Sequence, residues 1–91
     1  MAKKEYKEVK GVFQYIANLI FYHVGNCKVI SCNLIIKKLQ EHLSLVCDII
    51  ECEPTHILIR ADLHGDIALY RMSINERNCI EYVSFDGIEG V

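Results

Sequence analysis

Hydrophobic residues recur with two different periods along this chain, and the change of period divides it. From Lys4 to Val24 the spacing is three and four: Val9, Val12, Phe13, Ile16, Ile20, His23 and Val24 form one stripe, which predicts a helix with a face turned to a core. Gly25-Asn26 closes it, since both residues tolerate the left-handed conformation of a helix C-cap. Tyr15, Leu19 and Tyr22 make a second row on a neighbouring face, beside Phe21. A domain this small has little interior in which to bury both rows. The second row therefore either flanks a broad core face or forms a dimer or partner surface.

Cys27 to Ile30 reads as a short strand or a loop. Ser31 or Asn33 then offers an N-cap for a second helix, Leu34 to Leu43. Ile35, Ile36, Leu39 and Leu43 point inward there, and Lys37, Lys38, Gln40 and Glu41 outward, with Ser44 at the end. From Thr55 onward the period becomes two. Thr55 to Arg60, Ile67 to Met72 and Cys79 to Phe85 are short runs rich in Ile, Leu, Tyr and Val. They are separated by Ala61-Asp62-Leu63-His64-Gly65-Asp66 and by Asn75-Glu76-Arg77-Asn78, turn-forming stretches that predict an antiparallel meander.

Val46 to Cys52 decides the architecture. Its β-branched residues, closed by Glu53-Pro54, favour a first strand; a third helix is the competitor. With a strand, the expected fold is a single α+β domain over residues 1–91, with two N-terminal helices packed on one face of a three- to four-stranded antiparallel β-meander. With a helix over Leu45 to Glu51, the element order across residues 9–74 resembles a winged helix-turn-helix, and that resemblance implies a dimeric DNA-binding regulator. Leu45–Glu51 would then be its recognition helix, Asp62–Asp66 its wing tip, and Lys37 and Lys38 its DNA contacts. That recognition segment carries Asp48 and Glu51 but neither Lys nor Arg, and the wing tip carries two Asp, which phosphates repel. The helix-then-strands order, with Ile67-Ala-Leu-Tyr and then Tyr82-Val-Ser-Phe85, also resembles the kinase-associated C-terminal regulatory domain, but the closing helix of that family has no counterpart here.

Charge sharpens the picture. The chain has 91 residues and a net charge of −2, distributed unevenly. Residues 1–45 hold seven lysines against three glutamates, and residues 46–91 hold three arginines against nine acids. A basic helical layer and an acidic sheet follow, which argues against a generally basic nucleic-acid binder. The cluster Lys3, Lys4, Lys7 and Lys10 is a solvated terminus or a phosphate contact. Arg60 and Arg71 fall on the same or adjacent rows of the sheet; they either pair with Glu81 or a neighbouring acid, or hold an anion or an acidic partner.

At 52% hydrophobic, the chain is apolar for its size, which points to a buried interface beyond its own core, with a protein partner or a second copy. The apolar stretch Val12 to Val24, interrupted by Gln14 and Asn18, is too short to span a bilayer. The charged start shows no secretory signal pattern, so a cytoplasmic setting is expected.

Candidate chemistry is sparse. Five cysteines include two pairs of equal spacing, Cys27/Cys32 and Cys47/Cys52, with Cys79 left over. Residues five apart diverge on either a strand or a helix, so neither pair chelates a metal from regular structure; core thiols are the expected role, and disulfides the alternative. Asp62, His64 and Asp66 gather in one turn, where a polar hairpin tip explains them as well as a cation does. No nucleophile elbow, phosphate-cradling loop or paired-histidine motif is present. His56 is expected on the outer sheet face beside Leu58 and Arg60, and His23 and His42 on helix flanks. The sequence thus points to a non-catalytic interaction or regulatory module without metal or cofactor, self-associating through a helix face or a sheet edge, with Tyr15, Leu19 and Tyr22 as its surface.

Overall fold

A computed structural model describes residues 2–89, with side chains from Gly11 onward. Helix α1 spans Ala2–Val24 and α2 Cys32–Leu43; strands β1 (Val46–Glu53), β2 (His56–Leu63), β3 (Asp66–Ile74) and β4 (Ile80–Ile88) follow. The strands form one antiparallel sheet in the order β1-β2-β3-β4, with the helices packed against it. The fold is the expected α+β meander with its fourth strand in place. Val46 to Glu53 is β1, so the third helix, and with it the winged-helix order, is ruled out. Its apolar residues serve a sheet: Cys47 is buried on the core side, paired with Ala61 of β2, while Val46 and Asp48 face solvent.

Helix α1 ends where Asn26 turns to φ 63°, as the Gly25-Asn26 pair predicts. Gly25 is required for another reason: a Cβ there would run into the Phe21 carbonyl oxygen. Ser31 is the N-cap of α2, its hydroxyl accepting from the Asn33 backbone N–H at 3.2 Å, and Ser44 closes that helix at φ 52°. Cys27 to Ile30 is a loop tied to the sheet by an isolated bridge, Lys28 to Cys79, and by the Asn78 side chain, which donates to the Val29 carbonyl at 2.8 Å. His64 and Gly65, both at positive φ, make the two-residue turn between β2 and β3. The Asp62 carboxylate accepts from the Gly65 N–H there, so this acid serves the turn. Asn75 similarly accepts from the backbone of Arg77 and Cys79 before Asn78 reverses the chain.

The core lies between the helices and one sheet face. Phe13, Ala17, Ile20 and Val24 of α1 and Ile35, Ile36 and Leu39 of α2 meet Ile57, Ile59, Ala61, Ala68, Tyr70, Met72, Ile80 and Val83. Tyr70 is fully buried at its centre and donates its hydroxyl to the Phe13 carbonyl at 2.9 Å. Phe13 stacks on Phe85, with ring centroids 5.2 Å apart. This triad fixes the rotation of α1 about its own axis. One member of the expected core stripe is misplaced: Val12 is 59% exposed, because Phe13 and Ala17 centre the buried face and turn Val12 outward. Val9 and the cluster Lys3, Lys4, Lys7 and Lys10 have side chains outside the described residues.

Cys32 and Cys52 are disulfide-bonded, tying the first residue of α2 to the end of β1. Cys27, Cys47 and Cys79 are free thiols. The bond therefore links across the two equally spaced pairs, bringing together residues 20 apart in sequence. Burial, helped by the adjacent Asp48 carboxylate, pushes the Cys47 thiol up to about 11, so this cysteine stays protonated at neutral pH.

Candidate interaction surface

The open face of the sheet is closed off by its own charges. Arg60 sits opposite Asp48 in the β1–β2 register, with Nε 3.1 Å from that carboxylate, and its Nη1 lies 3.4 Å from Glu89. Arg71 pairs with Asp86 at 3.2 Å. Both arginines are thus held by acids of neighbouring strands or their ends, though not by Glu81. Leu58 sits directly opposite Arg71 and two residues from Arg60 on this face, outside the helix-covered core cluster, and is still only 8% exposed. His56 is on this face as expected, with Nε2 2.8 Å from the Glu51 carboxylate.

The two sheet edges are blunted. β1 bulges at Ile50, where the register slips between Ile49 and Glu51, and carries Asp48, Glu51 and Glu53. β4 slips twice, between the partners of Leu69/Tyr70 and of Ser73/Ile74, which leaves Asp86 and Glu81 as the extra residues. Bulges and edge charges are how natural sheets resist pairing with another strand. Of the two routes to association expected from the sequence, the geometry disfavours the edge.

The outer face of α1 is different. Tyr15 is 61% and Tyr22 82% exposed, and Leu19 between them is half-buried. Val12, assigned to the core by sequence reasoning, joins them. The row 12, 15, 19, 22 has the 3-4-3 step of a helix-packing seam, and that spacing is the signal that would have found its fourth member. From Gly11 to Cys27 the sequence contains no Lys, Arg, Asp or Glu. A solvent-facing helical surface four turns long without a single fixed charge is the composition of an interface core, not of a solvated face. The edge of the row continues onto α2 through aromatic contacts: Tyr22 meets His23 edge-on at 5.3 Å, and His23 stacks on His42 at 5.6 Å.

The lysines proposed as alternative DNA contacts lie on α2, Lys37 exposed and Lys38 half-buried. Lys37 lies 4.0 Å from Glu41 one turn along α2, and Lys38 donates to the Cys27 sulfur at 3.3 Å. Among the described residues no group of three or more His, Cys, Asp or Glu side chains converges as a metal site would require. The depression of about 450 Å³ between Leu43–Val46 and Asp62–Gly65 is open to solvent and brings together one histidine and one carboxylate. No helix among the described residues is long and apolar enough to cross a membrane. No family model, no curated protein and no solved structure matches this chain.

Proposed function

We propose that this protein is a small non-catalytic interaction module that works by docking another polypeptide on the outer face of α1, a regulatory role exerted through binding. The observation that carries the reading is the charge-free exposed row Val12, Tyr15, Leu19 and Tyr22 on a helix whose opposite face already fills the core. Tyrosines suit such a surface because they supply large contact area at the entropic cost of few rotatable bonds. Their backbone is rigid, since Tyr70 and Phe85 grip Phe13 from the sheet.

The reading is tested by placing a photo-reactive benzophenone side chain at Tyr15 or Tyr22 and irradiating living cells that express the protein. Covalent adducts to a polypeptide are expected from both positions, and none from a control at Ser84 on the open sheet face. Equal labelling from Ser84, or no polypeptide adduct from α1, would remove the α1 face as the working surface.

A further inference from the structure

We infer that the occupant of this face is a second copy of the same chain, its α1 running antiparallel to the first about a two-fold axis level with Ala17. This rests on the reading of α1 as the docking face and adds the partner and its geometry.

The row itself is self-complementary. Positions 12, 15, 19 and 22 are symmetric about residue 17, so an antiparallel copy meets them in register: Val12 opposite Tyr22, Tyr15 opposite Leu19, and the same two pairs again across the axis. Every layer then holds one tyrosine and one aliphatic residue, the large-with-small alternation that fills a helix–helix seam. A parallel copy would stack Tyr15 on Tyr15 and Tyr22 on Tyr22 and leave Val12 against Val12, two overfilled layers and one underfilled.

Charge makes the same choice. Residues 3–10 of α1 carry four lysines and two glutamates. Parallel pairing would set these two positive segments side by side, whereas antiparallel pairing places them at opposite ends of the assembly. Lys10 then lies level with Val24, the last residue of the partner's α1 and the negative end of that helix dipole, and the rest of the segment runs beyond it. Gly11 agrees with a close approach: it sits in the helix interior, where glycine is unfavourable, and a Cβ there would meet nothing among the described residues.

Size sets the strength. The exposed parts of Val12, Tyr15 and Tyr22 amount to roughly 400 Å² per copy if a tyrosine presents about 200 Å². With flanking residues along α1 the buried total reaches about 1,200 Å², at the lower bound of stable interfaces. The dimer is therefore concentration-dependent, dissociating in the micromolar range.

The experiment uses the full chain with Cys27→Ser and Cys79→Ser, which leaves the Cys32–Cys52 bond and the buried Cys47 thiol. Val12→Cys and Tyr22→Cys are added singly; both positions are exposed, so the fold survives. Under mild oxidation, a mixture of the two single variants yields covalent dimers containing one of each, and neither variant alone crosslinks. Self-crosslinking of each variant alone, without mixed product, overturns the antiparallel register. Light scattering on the unmodified protein across a dilution series provides the second measurement. It should show a dimer that Tyr15→Ser with Tyr22→Ser weakens at least tenfold. A protein that stays monomeric at millimolar concentration overturns self-docking. If the benzophenone adducts are then to a different polypeptide, the docking-face reading survives without the homodimer; if there are no adducts, both fall.

Discussion

Removing one oxygen from the centre of the sheet tests how α1 is held. Tyr70 is fully buried, and its hydroxyl donates to the Phe13 carbonyl at 2.9 Å. That carbonyl lies inside α1, where helix geometry already gives it the N–H of Ala17, so Tyr70→Phe leaves no orphaned acceptor. The ring keeps its place against Phe85, with centroids 5.8 Å apart. The loss is then one neutral hydrogen bond, about 1 kcal/mol, whereas deleting the whole side chain with Tyr70→Ala costs about 3–5 kcal/mol through the cavity it leaves. In a domain of this size 1 kcal/mol lowers Tm by about 4–8 °C. Urea and thermal unfolding, compared at one fixed protein concentration, measure it. An unchanged midpoint would mean that the hydroxyl does not anchor α1. A loss above about 3 kcal/mol would mean that it organises more than a single bond.

Three further outcomes follow from the same structure. Opening the Cys32–Cys52 bond, by reduction or with Cys32→Ser and Cys52→Ser, releases a loop of 20 residues and should lower stability by roughly 3 kcal/mol in denaturant titrations run with and without reductant. The Cys47 thiol ionises near 11 in the folded protein against about 9 when unfolded, so between those values the folded state keeps a proton that the unfolded state has lost. Stability should fall as pH rises through that window, by about 2 kcal/mol, with buried Tyr70 acting in the same direction above 10; urea midpoints for Cys47→Ala should show a shallower fall. Ser31→Ala removes the α2 N-cap and should cost about 1 kcal/mol by thermal unfolding, with no change in the dimer's dissociation constant.

How much of this was legible in the sequence depended on whether the deciding contact was local. Turns and caps were readable because their residues act on their own backbone: Asn26, Ser31 and the His64-Gly65 turn stand where the chain chemistry puts them. β4 was not read to its end. Asp86-Gly87 has the composition of a turn, yet Gly87 at φ 126° sits in a bulge and the strand continues to Ile88. Val12 was misread because a stripe of three- and four-residue steps fixes only that a face exists; the rotation of α1 is chosen by Tyr70 and Phe85, which lie 57 and 72 residues beyond Phe13. The cysteine pairing was hidden for the same reason, since only the packing of β1 back along α2 brings the end of β1 to the start of α2. The tyrosine row was visible as a surplus of apolar positions, and the arginine pairings as a rule of cross-strand chemistry whose particular acids only the register supplies.

Stability and the proposed recognition fall on opposite sides of α1, which makes the proposed function separable from the fold. Phe13, Ala17, Ile20 and Val24 spend the inner face on the core, and Tyr15 and Tyr22 of the outer row are exposed and stand outside that core. The disulfide lies between α2 and β1, away from that row, so reduction should weaken the domain while leaving the docking surface intact in molecules that remain folded. Conversely, serine at Tyr15 and Tyr22 removes apolar area from solvent-exposed positions and should leave a monomer of near-parental stability. A face expected to bear such substitutions without cost to the isolated fold, and free of Lys, Arg, Asp and Glu from Gly11 to Cys27, is the surface that we propose a partner covers.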